Sequence, residues 1–527
     1  MKHRLVLSFL VAAAAVLAVG FVSRSDAAST GPARLHVTAM LRIGVVGGST
    51  NLDGARQTDS YAVNSNALET LFAVGGDGKL RPWLAQSVTQ PGRATYVYHL
   101  RHGVKFWDGN ELTSTDVANA LNYYRYPGSV EASYYASVKT IKAIDKYTVA
   151  VTLKHPDASW QYSLNAGYVS GIFEKKFQDA HKTTMGEPGT LVMGTGPWEV
   201  DSFTPTTGAE LSANPRWWGG KVPIQHLSIK FFSDEQSMAL AMRAGDLDVA
   251  FPTAVSAFAA TSGAKIVDAP AVDPWILALD TVEAPWNDVH VRRAVAYALN
   301  RADISKAVGA PCTPITTVIP PVQLYPLGSR STVGGLLKSL PQYPFSIAKA
   351  KAELAKSAHP NGVTADFDFF SYGAIPNVAQ VVAAQLRKVG ITLNINPLTG
   401  AQWGALILGP ARDKIGVQLT TPGSYTLDPS YVPGFLLGSK NARAGHFNMA
   451  NYGPPALDTL IASGLETTNP AKRLAIYGQI LKKLAVDVPY IGICNAASSL
   501  AIANTFAWPT FSAAYYIRPW ALEVKSK

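Results

Sequence analysis

The side chains that could do chemistry are few in this sequence, and their spacing does not bring them together. His99 and His102 lie three residues apart on a strand-like stretch, so they point to opposite faces and are not expected to share a metal ion. Asp246 and Asp248 alternate with apolar residues in AGDLDVAF. We expect both carboxylates to face solvent at a sheet edge instead of acting as an acid/base pair. Neither pair indicates a catalytic or metal centre.

Motifs that would indicate an enzyme are also missing from the sequence. It contains no phosphate-binding P-loop, no dinucleotide-binding glycine fingerprint, no HExxH zinc motif and no GxSxG nucleophile elbow. We therefore expect neither a cofactor nor a catalytic site, and we expect that the chain is not an enzyme.

Helical and strand patterns alternate along the chain, which predicts an α/β fold. One helical stripe, over residues 378–389, ends at Gly390 and runs directly into the alternating strand ITLNI, the helix-to-strand connection of an α/β sheet. Further stripes cover residues 291–299 and 474–484, the second of them just before the apolar segment VPYIGIC. A chain of 527 residues is long enough for two or three lobes of this kind.

The N-terminus is typical of a secretory signal peptide. Lys2 and Arg4 precede an apolar run over residues 5–22, and Ser25 and Ala27 supply the small residues of a cleavage site after Ala27. An uncleaved membrane anchor is the alternative, since the run only just reaches the length of a membrane span. No cysteine lies near the predicted cleavage site. We therefore expect a soluble periplasmic or secreted protein that is not a lipoprotein.

Cysteine usage and charge both fit an exported globular chain. Cys312 and Cys494 are the only cysteines, and an even pair in an exported protein favours one disulfide, with two separate buried thiols as the alternative. The net charge is +10, but Lys and Arg are scattered instead of forming a stripe. A solvated basic surface is therefore favoured over nucleic-acid binding.

The segment HLRHGVKFWDGNELTSTDVANAL is well formed but has no catalytic group. Strand-like alternation over residues 95–100 leads to Asp108-Gly109, a turn signal, and then to Thr113 and Asp116 with the spacing of a helix capping box. Every residue in it has a folding role, so we interpret the segment as a structural corner.

Several motifs in a fixed order resemble one family. They are the corner segment with LRPWLAQSV before it, then MGTGPWEV, ANPRWWGGKVP, AMRAGDLDVAF and APWNDVHVRRAVAYALNRADIS. In these motifs the chain resembles the family 5 extracellular solute-binding proteins of bacterial ABC importers, the oligopeptide, dipeptide and nickel binding group. The resemblance runs from about residue 40 to the C-terminus, and ordered motifs together are more specific than any single one.

The resemblance implies a periplasmic-binding-protein type II-like fold, with two hinged α/β lobes and an extra subdomain. The implied division is a signal peptide over 1–27, lobe I over 28–75, 190–275 and 490–527, the extra subdomain over 76–189, and lobe III over 276–489.

The resemblance also implies a function in solute uptake. Hinged binding proteins close around a solute, and the closed form delivers it to the permease and ATPase subunits of an ABC importer at the membrane. We expect this chain to act as a monomer on a small solute or peptide, and not on nucleic acid. A peptide is the favoured ligand; an oligosaccharide, an opine-like amino-acid conjugate and a metal complex are alternatives. An enzyme or a structural protein on the same fold is the alternative outside transport.

A few candidate ligand-binding residues follow from the same resemblance. Trp403, in GAQWGALI, matches a pocket-lining Trp of the oligopeptide binders; a core aromatic on a helix over 401–408 is the alternative. Ser49, Thr50 and Asn51 match the segment that borders the cleft, with an ordinary turn as the alternative.

Other positions depart from the family pattern. Tyr425 stands where peptide binders carry the Asp that pairs with the peptide α-ammonium. Asp428 is a possible substitute, and a turn or cap role is its alternative. The Arg that dipeptide binders use has no counterpart in 369–378, and Pro422 removes a donor from the strand expected to pair with extended peptides. A dipeptide clamp is therefore disfavoured.

Overall fold

The structure is a computed structural model that describes residues 38–56, 60–75, 79–126, 128–164, 170–252, 255–410, 415–422, 427–442, 444–513 and 515–527. The predicted signal peptide and Tyr425 lie outside these ranges. Within them, no helix combines the length and apolarity needed to cross a bilayer.

The strands of the described residues are β1 (Thr38–Val46), β2 (Phe72–Val74), β3 (Leu80–Pro82), β4 (Ala85–Gly92), β5 (Thr95–Leu100), β6 (Val138–Asp145), β7 (Thr148–Leu153), β8 (Trp198–Thr204), β9 (Gly208–Ala213), β10 (Ile224–Phe232), β11 (Val249–Phe251), β12 (Ala264–Leu279), β13 (Cys312–Pro314), β14 (Val363–Phe370), β15 (Ile391–Leu398), β16 (Val417–Thr420), β17 (Tyr490–Ala503), β18 (Phe506–Ala507) and β19 (Lys525–Ser526).

The α-helices of the same residues are α1 (Tyr61–Ala67), α2 (Ser114–Tyr124), α3 (Trp160–Ser163), α4 (Lys175–Ala180), α5 (Glu235–Ala244), α6 (Val289–Ala298), α7 (Arg301–Ala307), α8 (Pro321–Leu324), α9 (Arg330–Ser339), α10 (Ile347–Leu354), α11 (Ile375–Arg387), α12 (Gly400–Leu408), α13 (Tyr431–Leu436), α14 (Pro455–Glu466) and α15 (Pro470–Asp487).

Two long strands tie the largest sheet together. Its strand order is β16-β12-β17-β11-β1-β10-β9-β8, with β13 added to β17. Strands β12 and β17 are antiparallel to each other over most of their length, and their pairing shifts register between Pro270 and Pro274. A proline donates no hydrogen bond to a ladder, so such a break is where a strand pair can bend. We call β12 and β17 the hinge strands.

Three clusters of buried apolar side chains fall on the two sides of this break. One core draws its residues from 41–251 and 500–524. Two others draw theirs from 275–494 and 276–490. We call the part built around the first core the N-terminal lobe and the part built around the other two the C-terminal lobe.

A four-stranded antiparallel sheet, in the order β4-β5-β7-β6, packs with α2 onto the core of the N-terminal lobe. We call the part built on this sheet and α2 the extra subdomain, and the predicted corner runs from β5 to α2 within it. Gly109 has φ of +96°, and Thr113 and Asp116 form the capping box that starts α2. The Trp107 indole donates to the Gly196 carbonyl at 3.2 Å, which fastens the corner to the segment MGTGPWEV. The corner is therefore a scaffold element.

The helical stripes and strands predicted from periodicity are confirmed. The stripe over 378–389 is α11, Gly390 has φ of +91°, and β15 follows it directly and pairs in parallel with β14. The stripes over 291–299 and 474–484 are α6 and α15, and VPYIGIC opens the hinge strand β17.

The prediction that Asp248 faces solvent is wrong. Its side chain is 8% exposed and pairs with the Arg42 guanidinium, with Nη2 to Oδ1 at 2.7 Å and Nε to Oδ2 at 3.0 Å. Strand β1 lies beside β11 and brings Arg42 next to an acid that is distant in the chain. Asp246, by contrast, is exposed.

Cys312 and Cys494 form a disulfide in the structure, with their Cα atoms 5.5 Å apart. It joins β13 to the hinge strand β17, and Cys494 is fully buried.

Candidate ligand-binding cleft

Parallel strands of the N-terminal lobe end on one edge that faces the hinge. Strand β1 runs parallel to β10 and β11, so Val46, Phe232 and Phe251 end on the same side. Strand β17 arrives from the C-terminal lobe antiparallel to β11, so this edge points back toward that lobe. Ligands of open α/β sheets bind outside the carboxyl ends of the strands. The loop after β1 therefore lies at the candidate cleft.

The C-terminal lobe presents the ends of its own strands. Strand β16 is antiparallel to the hinge strand β12, and its last residue, Thr420, pairs with Ile276, which is nearer the hinge break than Leu279 at the other end of the ladder. The chain leaving β16 therefore heads toward the hinge. Helix α12 starts after β15 with a capping box formed by Thr399 and Gln402.

Trp403 lies on this helix in a row of stacked rings. Its indole Nε1 donates to the Gln418 Oε1 at 3.0 Å, which ties α12 to β16. Its ring stacks on Phe370, centroids 5.6 Å apart, and Phe370 stacks on Tyr372 at 5.4 Å. Trp403 is half-buried, whereas Tyr372 is 65% exposed. The row thus ends in an aromatic ring that is open to solvent beside the ends of β14 and β15.

The side chains of Ser49 and Asn51 are engaged in a local turn. Ser49 is fully buried, and its hydroxyl donates to the Asn51 carbonyl at 2.6 Å. The Asn51 Oδ1 accepts from the Asp53 backbone N–H at 2.7 Å. Thr50 is exposed. This arrangement favours the turn alternative for Ser49 and Asn51.

Asp428 is held by an internal partner. Its carboxylate is 1% exposed and makes two bonds to Arg473, from Nη1 to Oδ2 at 2.5 Å and from Nη2 to Oδ1 at 2.7 Å. Its Oδ1 also accepts the Ser430 N–H at 2.9 Å. Burial by itself lowers the pKa of Arg473, and the adjacent Asp428 carboxylate outweighs it, so that this pKa is raised. These contacts favour the turn role of Asp428 over contact with a ligand ammonium.

A small apolar cluster closes the space between the lobes near the hinge. Val74 and Ile517 of the N-terminal lobe meet Leu427 of the C-terminal lobe around Val272, which lies in the register break of β12. All four side chains are buried, at 7% exposure or less. The lobes are therefore in contact at Leu427, the residue before Asp428.

Two cavities flank this contact. One, of about 740 Å³, lies between the β2–β3 pair and residues 509–511 and 518–523. The other, of about 440 Å³, lies along the hinge strands at residues 268–270 and 495–497. The residues that line them do not include Trp403, Asp428 or residues 49–51. Across the described residues, no group of three or more His, Cys, Asp or Glu side chains is arranged to hold a metal ion.

Sequence reasoning missed three residues of this region. Phe370 and Tyr372 lie within 369–378, the segment in which the family pattern has an arginine, and Gln418 lies in the strand expected to contact peptides. The spacing Phe-x-Tyr at a strand end was the available signal for the ring row. Nothing local could indicate that Gln418 meets Trp403, because that contact depends on how α12 packs on β16.

Comparisons with known proteins agree with this architecture. The family model described as bacterial extracellular solute-binding proteins, family 5 Middle, matches residues 79–443. The glutathione-binding protein GsiB of Escherichia coli strain K12 is 26% identical over 455 residues, which cover 84% of this chain and 86% of GsiB.

Solved structures match over almost the whole chain. DppA from Helicobacter pylori in complex with the peptide STSA has a TM-score of 0.75 and 21% identity, covering 93% of this chain and 98% of DppA. AgaA from A. tumefaciens R10 in complex with agropinic acid has a TM-score of 0.72 and 22% identity, covering 93% and 99%. The expected type II periplasmic-binding-protein fold, with two hinged lobes and an extra subdomain, is confirmed. Because the family model matches more than half of its length, the chain belongs to the bacterial extracellular solute-binding proteins of family 5.

Proposed function

We propose that this chain is the extracytoplasmic substrate-binding component of an ABC importer, and that it captures a peptide between its two lobes and passes it to a membrane permease. The observation that carries the proposal is the cleft itself: strand ends of both lobes face each other across two hinge strands whose pairing shifts register between Pro270 and Pro274. A solute that touches both lobes only when they are closed shifts the protein toward the closed form.

The surroundings of the cleft support a ligand that is recognised through flat apolar surface. Tyr372 offers an exposed ring face at the end of the row that Trp403 begins. Stacking on such a face suits aromatic and apolar side chains. Asp428 is neutralised by Arg473, so we do not assign it to a peptide α-ammonium. GsiB is named for glutathione and DppA was solved with a peptide, which supports a peptide as the ligand class.

Several further properties belong to the same proposal. The chain is made with a signal peptide that is cleaved after Ala27, acts as a soluble monomer without a lipid anchor, and docks on permease and ATPase subunits in its closed form. It carries out no catalysis. Intact mass of the secreted protein tests the cleavage, and a mass that still includes residues 1–27 would overturn it.

Calorimetry on a series of peptides tests the ligand class. We expect tri- and tetrapeptides with an apolar or aromatic side chain to bind, and acetylation of the peptide N-terminus to change the affinity little. A site built around an acidic partner for the ammonium would lose about 2–5 kcal/mol on acetylation. A loss of that size would contradict our assignment of Asp428 and point to an acid that we have not identified.

Variants of the ring row show where the ligand binds. Trp403→Ala removes the inner ring of the row, and we expect the affinity to fall by at least about tenfold, the effect of losing a buried aromatic anchor. Trp217→Ala, at a half-buried position against the core of the N-terminal lobe, is the control for loss of an indole elsewhere. Unchanged affinity in Trp403→Ala would assign Trp403 to the core.

An opine-like conjugate of an amino acid is the second candidate ligand. The exposed stacked ring also accommodates a flat or cyclic carbon skeleton. AgaA, whose structure contains agropinic acid, shares the fold. In the same calorimetry, binding of such a conjugate without binding of any peptide would favour this candidate over the peptide.

A further inference from the structure

The C-terminal end of α14 is capped by the other lobe. An α-helix leaves its last carbonyls without partners inside the helix, and they must be satisfied by water or by other groups. In α14 the Ser463 carbonyl accepts the Thr467 N–H at 3.0 Å. The three carbonyls that follow it in the last turn all accept from outside the helix.

Two of these three donors come from the extra subdomain. The Ala158 backbone N–H donates to the Leu465 carbonyl at 2.7 Å, and Arg93 Nη2 donates to the Glu466 carbonyl at 3.2 Å. Arg93 lies in the turn between β4 and β5. The sheet that contains these strands packs on the core of the N-terminal lobe. Helix α14 packs in a core of the C-terminal lobe. The bonds therefore cross from one lobe to the other.

The donors are held in place before they meet the helix. The Asp157 carboxylate accepts the Ser159 N–H at 2.9 Å and the Ser159 hydroxyl at 2.6 Å, which fixes the turn that presents the Ala158 N–H. The Tyr96 hydroxyl, on β5, donates to the Asp157 carbonyl at 3.2 Å and anchors this turn to the sheet of the subdomain. A fixed donor loses little freedom when it binds.

The third donor connects this contact to the carboxylate of Asp428. Arg473 Nε donates to the Gly464 carbonyl at 2.8 Å, while its two terminal nitrogens hold Asp428. A single buried guanidinium thus joins the end of α14 to Asp428, which follows the inter-lobe contact residue Leu427.

We propose that the last turn of α14 is a closure latch: the extra subdomain caps it in the closed form, and in the open form its carbonyls return to water. The latch does not require a solute, so a fraction of the ligand-free molecules is closed. Its strength has an electrostatic part, because a cation is favoured at the negative end of a helix dipole. This inference does not depend on which solute the cleft holds.

Hydrogen exchange on the ligand-free protein tests the latch. The Ala158 amide donates to the C-terminal lobe, whereas the Leu153 amide of the same subdomain donates to the Ala94 carbonyl inside the subdomain. We expect Arg93→Ala to speed exchange at the Ala158 amide by about two- to fivefold, the effect of one cation at a helix end. Exchange at the Leu153 amide should not change, which shows that the subdomain stays folded.

The expected exchange rate at the Ala158 amide depends on the charge of the side chain at position 93. Arg93→Lys keeps the cation and should lie close to wild type, while Arg93→Glu places a negative charge at the negative helix end and should speed exchange more than Arg93→Ala. Lys142→Ala, an exposed position on β6, is the control for loss of a surface cation. Small-angle scattering should show the same order as an increasing radius of gyration. Equal Ala158 exchange in all five proteins, with equal radii, would overturn the proposal.

Discussion

At the scale of single residues, the Asp428–Arg473 pair shows how a candidate ligand residue becomes part of the frame. Both side chains are buried and make two charge-assisted hydrogen bonds to each other. Removing one partner of a buried pair leaves the other charge without compensation. Asp428 therefore stabilises the fold. A ligand-binding acid would instead need a carboxylate that is not paired within the protein.

Replacing this acid tests the assignment. We predict that Asp428→Asn lowers the free energy of unfolding by about 3–5 kcal/mol, because Arg473 is left buried and unpaired. Urea unfolding followed by circular dichroism measures it, and Asp246→Asn at an exposed position should change stability by less than about 0.5 kcal/mol. A stable Asp428→Asn protein that has lost its ligand affinity would instead return Asp428 to the binding site.

Glu131 is a second buried acid, and it gives stability a pH dependence. The residue is 1% exposed, and among the described residues its Oε1 has no hydrogen-bond partner. Burial raises the pKa of Glu131 to about 8, from an ordinary value of 4.5. At a pH between about 4.5 and about 8, Glu131 keeps its proton in the folded protein and releases it in the unfolded chain. Stability should therefore fall as the pH rises from about 4.5 to about 8.

Glu131→Gln should remove this dependence. We predict that the variant is more stable than wild type at pH 8, by about 1–3 kcal/mol, and close to wild type at pH 4.5. Urea unfolding at the two pH values measures the difference, with Glu187→Gln on the surface as the control. A variant that is no more stable than wild type at pH 8 would show that Glu131 is compensated in the folded protein.

Residue roles were harder to predict than residue positions. The family pattern placed Ser49, Asn51 and Asp428 near the cleft, but their side chains bond within the protein, to the Asn51 carbonyl, the Asp53 N–H and Arg473. Partners such as Arg473 are distant in sequence, so no local spacing indicates them. Tyr425 and its relation to a ligand ammonium stay a prediction.

At the scale of elements, local sequence patterns predict single helices and strands, but they do not predict how the hinge strands pair. The alternation of α11 and β15 was predictable because a helical stripe and a strand pattern are both local signals. The pairing of β12 with β17, and of Arg42 with Asp248 across β1 and β11, depends on segments more than 200 residues apart. The Asp248 prediction failed for that reason.

The disulfide belongs to this scale because it fastens β13 to a hinge strand. We predict that the free energy of unfolding of the double variant Cys312→Ala/Cys494→Ala is lower than that of wild type by about 2–4 kcal/mol, mainly because the unfolded chain is no longer cross-linked. Calorimetry should show a lower Tm for the double variant than for wild type, and the same lowering of Tm for wild type treated with a reductant. Equal Tm values for reduced and oxidised wild type would show that the bridge contributes nothing to stability.

At the scale of the whole molecule, two lobes, a hinge and a latch form one device for closing on a solute. Ordered motifs were sufficient to predict the family and its fold, because they occur at strand ends, turns and helix starts that the fold requires. The boundaries of the lobes and subdomain stay predictions. The latch could not be predicted, since it joins Arg93 and Ala158 to carbonyls of a helix in the other lobe.

Native mass spectrometry of the purified protein tests the central claim most directly. We expect a fraction of wild-type molecules to carry one bound solute of peptide mass, released on activation and identified by fragmentation. In Trp403→Ala this fraction should be smaller, because the inner ring of the stacked row is missing. A wild-type protein that carries no solute, and gains none when incubated with a mixed pool of peptides and amino-acid conjugates, would contradict a solute-capturing function.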